Sequence, residues 1–563
     1  MTLDQAEDGG AVEEARAWIA QDPDAQTRDE LQALLDAAAS DPAAAAELEE
    51  RFAGRLDFGT AGLRGELGAG PTRMNRVLVA QAAAGLAAYL RARQEHPTVV
   101  IGYDGRTNSG VFARDSAALL QGAGVHATLL PRELPTPVLA FAVRHLDASA
   151  GIMVTASHNP ARDNGYKVYL GGLDHGSQIV PPADAAIQAE ILRVAAGSIA
   201  DLPRDEDYTI ASEDLVAEYV RRTAAPAEHT AVPPYVYTAM HGVGWQTASA
   251  VFAAAGFPPP VSVRAQQDPD PAFPTVSFPN PEEPGALDLA VATARDAGAQ
   301  LIIANDPDAD RLAVGIPDSS ADTGWRRLAG NEVGWLLGWQ AARRVDALTP
   351  DGGDGTLAAS LVSSPALGEV ARQTGLDYEE TLTGFKWISR VARLVFGYEE
   401  ALGYLVDPDK VRDKDGISAA VAVLDLAASL RAEGRTLADE LLAFAAEFGG
   451  YASGQISIRV QELDDEIGRM MARLRERPPA EVGGIRVERI DDFADGFAPF
   501  PPNDILRLHL EGGARVIVRP SGTEPKLKCY LDAWSTEGEA AERIARAEAV
   551  VAVLDSGMRS LLA

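Results

Sequence analysis

The sequence has little of several features that define particular protein classes. It contains one cysteine, Cys529, among 563 residues, so no disulfide can form within the chain. It contains no run of 18 apolar residues, which argues against a transmembrane helix. Its first residues, MTLDQAEDGG, are acidic and lack the cationic and apolar regions of a secretory signal. These absences predict a soluble, cytoplasmic protein.

Basic residues are also scarce relative to acidic ones. There are 50 Lys and Arg against 82 Asp and Glu, which gives a formal net charge of −32. Such a chain repels nucleic-acid phosphates and anionic membranes, so neither is an expected partner. Hydrophobic residues make up 46% and charged residues 23%, which is ordinary for a globular protein and excludes extensive disorder. At about 150 residues per domain, the length predicts about four domains.

Lysine is the rarest of the charged residue types. Arginine supplies most of the basic residues, so the few lysines mark candidate positions where a compact ammonium group is needed. Chance retention is the alternative explanation. All of them lie near the candidate loops described below: Lys167, Lys386, Lys410, Lys414, Lys526 and Lys528.

Sequence patterns divide the chain into a helical start and a longer α/β region. Within residues 1–50, Thr27-Arg-Asp-Glu30 has the pattern of a capping box, and Asp41-Pro42 that of a helix start. Beyond residue 51, apolar strands alternate with Ala/Leu-rich helical stretches, which predicts layered, largely parallel sheets covered by helices. The expected divisions are a helical extension at 1–50 and domains at 51–210, 211–325, 326–447 and 448–563.

The first candidate site is the loop Thr155-Ala-Ser157-His158-Asn159-Pro160, which follows an apolar strand. In open α/β sheets, ligands bind at the carboxyl ends of strands. The loop lacks the glycines of a nucleophile elbow, so a serine hydrolase is disfavoured. An exposed Ser157 beside His158, with Lys167 ten residues on, predicts a nucleophile with a nearby acid or base. An ordinary turn serine is the alternative.

The second candidate site is the loop Asn305–Arg311, which carries carboxylates at Asp306, Asp308 and Asp310. Three anions this close repel one another unless a cation lies between them, and oxygen donors without His or Cys favour Mg²⁺. An EF-hand is excluded because Arg311 stands where that loop requires glycine. Three carboxylates are few for an ion and leave room for a phosphate oxygen. A solvated acidic loop is the alternative.

Two further loops carry weaker signals. Adjacent Glu399 and Glu400 are suited to binding sugar hydroxyls or to serving as a glycosidase pair, although neighbouring strand residues face opposite sides. The segment Arg519–Lys526 combines hydroxyls, a glycine turn and cations, which is typical of an anion site, with a plain hairpin turn as the alternative. Arg64 lies in the glycine-rich segment 59–65, which is a weak signal alone.

Taken together, these motifs resemble those of the α-D-phosphohexomutase superfamily, in particular its long phosphoglucomutase and phosphopentomutase branch. TASHNP, DPDADR, EEALG and RPSGTEP occur in the family's order, and the resemblance runs from about residue 50 to the end. It implies an α/β protein with a four-domain phosphohexomutase-like architecture. Three similar α/β sheet domains and a distinct C-terminal α+β domain would surround a central cleft.

The resemblance also implies roles for individual residues. Ser157 would be a phosphoserine, and Mg²⁺ would be bound by its phosphate and by the carboxylates of Asp306, Asp308 and Asp310. Lys167 would be the general acid or base. The remaining implied positions are His158, Arg64 and Arg311 near the phosphoserine, Lys386, Glu399, Glu400 and Ala401 at the sugar, and Arg519, Ser521, Gly522 and Thr523 at the distal phosphate. Many members have serine at the position of Ala401, so this chain lacks one sugar hydrogen bond.

The function that the resemblance implies is interconversion of glucose 1-phosphate and glucose 6-phosphate through a bisphosphorylated sugar. Glucose 1,6-bisphosphate would be the activator, and small sugar phosphates would be the expected partners, with the oligomeric state left open. Phosphomannomutase or phosphopentomutase activity is the main rival, because the motifs bind phosphate and generic hydroxyls. Two functions outside the mutases stay open as well: a metal-dependent phosphatase, and a catalytically silent regulatory relative that binds sugar phosphates.

Overall fold

The computed structural model describes residues 8–60, 62–348, 354–460, 463–521 and 526–562. The chain divides into two compact units. Unit 1 comprises Met1–Arg327 and Gly403–Ala428, and unit 2 comprises Leu328–Leu402 and Ser429–Ala563. Among the described residues, no helix combines the length and the apolar character needed to cross a membrane.

Unit 1 begins with three helices, which confirms the predicted helical start. Leu31 and Leu48 are buried against Val77 and Ala80 of the following sheet domain, so these helices share a core with that domain. The helices are α1 Asp8–Gln21, α2 Ala25–Ala38 and α3 Pro42–Phe52.

The predicted capping box at Thr27 is wrong, because helix α2 begins at Ala25. Asp24 is the N-cap and its carboxylate accepts from the N–H of Gln26 at 2.9 Å. Thr27 lies inside the first turn and donates its hydroxyl hydrogen to Asp22 at 2.6 Å. The predicted start at Asp41-Pro42 is confirmed, since Asp41 caps α3 and Pro42 is its first residue.

The first sheet of unit 1 has the strand order β1-β5-β4-β2-β3-β7, with β6 paired to β5. Strands β2, β3, β4 and β7 are parallel, while β5 is antiparallel to both β4 and β1. Its strands are β1 Leu63–Glu66, β2 Thr98–Tyr103, β3 His126–Leu129, β4 Ala150–Val154, β5 Asp163–Leu170, β6 Ser177–Gln178 and β7 Thr209–Ile210. Its helices are α4 Arg76–Arg91, α5 Ser109–Gly122, α6 Thr136–His145, α7 Ala183–Ala195 and α8 Glu213–Ala224.

The second sheet of unit 1 has the order β12-β11-β10-β8-β9. Strand β10 is parallel to β8 and forms an antiparallel hairpin with β11, so the carboxylate loop is the turn of that hairpin. The strands are β8 Tyr235–Thr238, β9 Val261–Ser262, β10 Leu301–Asn305, β11 Leu312–Pro317 and β12 Trp325–Arg327, and the helices are α9 Gly244–Ala254 and α10 Asp288–Ala297.

Unit 2 begins with a parallel arrangement in which β13 lies between β14 and β15. Its strands are β13 Thr356–Ser360, β14 Asp377–Thr381 and β15 Leu394–Glu399, and its helices are α11 Gly330–Leu348, α12 Ala366–Thr374, α13 Phe385–Ile388 and α15 Leu437–Phe448. Between α13 and α15 the chain returns to unit 1 in β16 Gly403–Leu405 and in most of α14 Gly416–Ala432.

The remainder of unit 2 is an antiparallel sheet with the order β17-β22-β21-β20-β19-β18. This arrangement differs from the parallel-containing sheets that precede it, which confirms the predicted distinct C-terminal α+β domain. The strands are β17 Gly450–Arg459, β18 Glu481–Val482, β19 Ile485–Asp492, β20 Leu506–Leu510, β21 Arg515–Pro520 and β22 Lys526–Ser535, and the helices are α16 Leu463–Glu476 and α17 Ala540–Leu562.

Replacing Leu31 by alanine tests whether the first helices are part of the unit 1 core. Leu31 is fully buried, so we expect Leu31→Ala to lower the free energy of unfolding by about 2–5 kcal/mol, measured by urea denaturation. Leu192, which is 50% exposed, is the control, and Leu192→Ala should change that free energy by less than about 1 kcal/mol. Equal effects of the two substitutions would contradict a shared core.

Candidate active site

The serine loop leaves the end of β4 and buries its nucleophile candidate. Ser157 has a φ of +52°, the left-handed region that non-glycine residues rarely adopt. Its N–H donates to the Thr155 hydroxyl oxygen at 2.8 Å. The side chain of Ser157 donates to Oδ2 of Asp306 at 3.0 Å, and the residue is only 3% exposed. The prediction of an exposed serine is therefore wrong, because the side chain is buried against the carboxylate loop.

The carboxylate loop gathers three buried aspartates. Asp306, Asp308 and Asp310 are each 0% exposed, and each offers an oxygen within 4.8 Å of the others. The alternative of a solvated acidic loop is therefore wrong. In the described residues, Oδ1 of Asp308 and Oδ1 of Asp310 are buried without a hydrogen-bond partner. Buried carboxylate oxygens with no donor are suited to a cation, so the cluster fits a Mg²⁺ site.

Two lysines partly balance this negative charge. Nζ of Lys167 lies 2.8 Å from Oδ2 of Asp308 and 3.0 Å from Oδ2 of Asp310. Nζ of Lys414 lies 3.2 Å from the same oxygen of Asp310. Burial alone would lower the pKa of Lys167, but the two carboxylates outweigh it and raise that pKa. Lys167 is therefore an ammonium group here, able to donate a proton.

The three carboxyl groups differ in their protonation. Burial, together with the charges of Asp308 and Asp310, raises the pKa of Asp306 well above its ordinary value. Burial would also raise the pKa of Asp308, but Lys167 and the Thr136 hydroxyl outweigh it and lower that pKa. Burial and the charge of Asp308 would raise the pKa of Asp310, but Lys167, Lys414 and Arg311 outweigh them and lower it. Asp306, the carboxyl that faces Ser157, therefore retains a proton to the highest pH of the three unless a cation binds.

The remaining predicted catalytic residues of unit 1 surround these two loops. Nδ1 of His158 lies 3.2 Å from Oγ of Ser157. Burial and the charges of Arg311 and Arg64 lower the pKa of His158 well below its ordinary value, so its ring is neutral. Arg64 donates to the side chain of Asn159 at 3.3 Å, and the backbone N–H of Arg311 donates to Asp306 at 3.0 Å.

Several polar residues at this site were not predicted from the sequence. The hydroxyl of Thr136 donates to Oδ2 of Asp308 at 2.6 Å, although 172 positions separate the two residues. Asn305 donates to the carbonyl of Arg311 at 2.5 Å and closes the carboxylate loop. One sequence feature pointed to Lys414: it is one of the few lysines of the chain.

The predicted sugar residues lie in unit 2. Glu399 is the last residue of β15 and is 9% exposed. Oε2 of Glu400 accepts from the hydroxyls of Ser360 at 3.2 Å and Ser363 at 3.3 Å, so this carboxylate is held by its own domain. Lys386 lies on the short helix α13 and Ala401 follows β15, both partly exposed. Their contact with a sugar remains a prediction.

The predicted phosphate loop is described only in part. Arg519 lies in β21 opposite Lys528 of β22, and the N–H of Ser521 donates to the carbonyl of Lys526 at 2.8 Å. These contacts bracket the turn between the two strands. Gly522 and Thr523 lie outside the described residues.

Four family models match successive parts of the chain. They are described as phosphoglucomutase/phosphomannomutase alpha/beta/alpha domain I at residues 55–197, domain II at 217–319 and domain III at 329–451, and the C-terminal domain at 458–550. The chain belongs to this family, within the α-D-phosphohexomutase superfamily. It is therefore an enzyme of the phosphosugar mutase type, an intramolecular phosphotransferase.

Named relatives are consistent with this assignment. A "Probable phosphomannomutase" of Haemophilus influenzae is 56% identical over 490 residues, covering 87% of this chain and 98% of the relative. A human phosphopentomutase is 34% identical, covering 94% of this chain and 93% of the relative. A crystal structure of a phosphoglucomutase/phosphomannomutase family protein from Burkholderia thailandensis shares the fold, with a TM-score of 0.68 at 20% identity, covering 90% of this chain and 97% of that one.

The raised pKa of Asp306 predicts that Mg²⁺ stabilises this chain more at pH 8 than at pH 5.5. Without metal, Asp306 in the folded chain retains a proton that the unfolded chain releases. The free energy of unfolding therefore falls as pH rises from the ordinary aspartate range through the raised pKa of Asp306. Mg²⁺ favours the ionised carboxylate and should remove that cost. Thermal melting with and without Mg²⁺ at both pH values measures the difference.

Asp308→Asn should abolish most of the shift in melting temperature, because it replaces one buried carboxylate of the cluster. Asp296→Asn, on the exposed side of α10, is the control and should keep the shift. A shift of equal size in both variants would contradict a metal site at the cluster.

Proposed function

We propose that this enzyme interconverts glucose 1-phosphate and glucose 6-phosphate through a phosphoserine at Ser157 and a bisphosphorylated sugar. The observation that carries the proposal is the contact between Ser157 and the buried aspartate cluster, with Lys167 bound to the same cluster. A serine held against buried carboxylates that fit Mg²⁺ is suited to phosphoryl transfer rather than acyl transfer. The family description, which names glucose and mannose, supports a hexose phosphate as substrate.

The first half-reaction moves a phosphoryl group from Ser157 to a sugar hydroxyl. The bond between phosphorus and Oγ of Ser157 breaks as the bond between phosphorus and the sugar oxygen forms. Neutral His158 is available to accept the hydroxyl proton, and ammonium Lys167 is available to protonate a leaving oxygen. Mg²⁺, held by Asp306, Asp308, Asp310 and a Ser157 phosphate oxygen, would neutralise charge on the transferring group.

The second half-reaction returns the other phosphate of the bisphosphorylated sugar to Ser157. The sugar must therefore bind in two orientations, a task that we assign to Lys386, Glu399, Glu400 and Ala401. Arg519, Ser521, Gly522 and Thr523 would hold the phosphate that does not react. Glucose 1,6-bisphosphate would act as activator because it phosphorylates an empty Ser157.

We retain the domain divisions expected from the sequence, at 51–210, 211–325, 326–447 and 448–563, after a helical extension at 1–50. We also retain a cytoplasmic location, which the single cysteine of the chain supports.

A mannose phosphate is the second candidate substrate. The relative that is 56% identical carries the name phosphomannomutase, and this chain has Ala401 at a position where a serine hydroxyl would contact the sugar. Glucose and mannose differ only in the configuration at carbon 2, so the same two half-reactions serve either sugar.

A comparison of three substrates tests the proposal. The purified chain is given Mg²⁺ and a catalytic amount of glucose 1,6-bisphosphate, and kcat/KM is measured for glucose 1-phosphate, mannose 1-phosphate and ribose 1-phosphate. We expect glucose 1-phosphate to exceed the other two by about tenfold or more. A preference for mannose or ribose overturns the glucose assignment. Release of free phosphate without sugar isomerisation would identify a phosphatase instead.

Removing the hydroxyl of Ser157 should abolish turnover. We expect Ser157→Ala to lower kcat by at least about a thousandfold, because no covalent phosphoryl carrier remains. Ser320→Ala, at an exposed position of the same unit, should leave kcat unchanged. Mass spectrometry after incubation with glucose 1,6-bisphosphate should find one phosphate on the peptide containing Ser157. Full turnover by Ser157→Ala would refute the phosphoserine.

Restoring a hydroxyl at position 401 should strengthen sugar binding. One added neutral hydrogen bond is worth about 0.5–1.5 kcal/mol, so we expect Ala401→Ser to lower KM for the preferred sugar phosphate by about two- to tenfold. Initial-rate kinetics measure the change, and Ala446→Ser, at an exposed position in α15, is the control. An unchanged KM would place Ala401 away from the sugar.

A further inference from the structure

Arg106 is a buried charged residue that the proposed mechanism does not use. It lies in the loop between β2 and α5, and its side chain is 1% exposed. Its guanidinium group donates to three backbone carbonyls of the serine loop and to one at the start of β5. Nη2 contacts the carbonyls of Ser157 and Asn159, each at 2.6 Å, and Nη1 contacts those of Pro160 at 2.8 Å and Asp163 at 3.2 Å.

Asp104 holds Arg106, and Thr155 holds the other side of the Ser157 backbone. The carboxylate of Asp104 lies 3.6 Å from Nε of Arg106 and accepts from the backbone N–H of Arg106 at 3.1 Å. The same carboxylate accepts the hydroxyl hydrogen of Ser109 at 2.7 Å. The hydroxyl oxygen of Thr155 accepts from the N–H of Ser157 at 2.8 Å. The N–H of Ser157 is thus held by Thr155, and its carbonyl by Arg106.

The conformation of Ser157 needs such support. Its φ of +52° is unfavourable for a residue with a β-carbon, so a free loop would relax to a negative φ. Relaxation would turn Oγ away from Asp306, which it now contacts at 3.0 Å. A displacement of about 1 Å at a reacting atom can cost about a hundredfold in rate.

We propose that Arg106 is a positioning residue that holds Ser157 in its left-handed conformation and so aims Oγ at the aspartate cluster. Asp104 is its counter-ion, and Thr155 makes the second contact to Ser157, at the N–H. Arg106 donates only to backbone carbonyls of the serine loop and of β5, and its guanidinium group lies over the ring of Phe273 at 4.9 Å. It therefore acts through Ser157 rather than on the substrate. The expected effect on turnover rests on the proposed function, while the effect on the loop does not.

Lysine cannot reproduce this arrangement. A guanidinium group presents two terminal nitrogens in a fixed plane, and here each nitrogen contacts two carbonyls. An ammonium group has one nitrogen, so Arg106→Lys keeps the charge but loses the pair of coplanar terminal nitrogens. Arg76→Lys is the matched control, because Arg76 makes a comparable two-nitrogen contact to Asp115, at 2.7 and 2.8 Å, in the same domain.

Steady-state kinetics of the full chain with Mg²⁺ test the effect on the reaction, with kcat expressed per folded molecule. We expect Arg106→Lys to lower kcat by about 10- to 100-fold while KM for the sugar phosphate changes by less than about threefold. Arg76→Lys should keep kcat within about twofold. A kcat for Arg106→Lys within twofold of the wild type, or an equal loss in both variants, would overturn the inference.

Hydrogen exchange tests the effect on the loop without any substrate. We expect the peptide covering residues 155–164 to exchange faster in Arg106→Lys than in the wild type or in Arg76→Lys, with exchange in β10 unchanged. If the wild type turns over none of the three sugar phosphates, the proposed function fails and hydrogen exchange alone decides the role of Arg106. Equal exchange in all three proteins would overturn that role.

Thr155→Val provides a second test that does not depend on the folding of Arg106→Lys. Valine keeps the shape of threonine and removes the oxygen that accepts from the N–H of Ser157. We expect kcat to fall by about 3- to 10-fold at unchanged KM, and exchange at residues 155–164 to rise. No change in either measurement would overturn the inference.

Discussion

The site depends on the burial of three carboxylates in one turn of the second sheet. Fully buried aspartates are stable only when cations or donors compensate them, and here Lys167, Lys414 and Thr136 do so without using every oxygen. The unused oxygens define a place for a metal ion, and Oδ2 of Asp306 defines a place for Ser157. The charge balance of the turn thus determines which residues can approach it.

Precise placement of these groups comes from buried side chains that bind backbone atoms. Arg106 holds the carbonyls of the serine loop, and Asn305 joins the two ends of the carboxylate loop through the carbonyl of Arg311. Tyr237 donates to Asn305 at 2.8 Å and fixes its orientation. Both loops also contain a non-glycine residue at positive φ, namely Ser157 and Ala309. The reactive side chains are therefore carried on backbone that surrounding polar groups keep in an uncommon conformation.

The sequence was sufficient for the alternation of strands and helices and for the position of the two loops of unit 1 after apolar strands, because each is encoded by neighbouring residues. It did not reveal Thr136 or Arg106, since each reaches a loop that lies far along the chain, 172 and 51 positions away. It also predicted an exposed Ser157, because a polar loop motif does not indicate which distant residues pack over it. The capping pattern at Thr27 does not mark the start of the helix, because Asp24, three residues earlier, is the N-cap and accepts from an N–H of the first turn.

Lys414 has a consequence for the order in which the site is completed during synthesis. It belongs to the segment Gly403–Ala428, which rejoins unit 1 only after the chain has passed through Leu328–Leu402 of unit 2. A nascent chain that ends before this segment already contains all three aspartates and Lys167, yet it lacks the second ammonium group on Asp310. During synthesis the cluster can therefore gain its second ammonium group only after residues 328–402 of unit 2 have been made, although the three aspartates and Lys167 come before them.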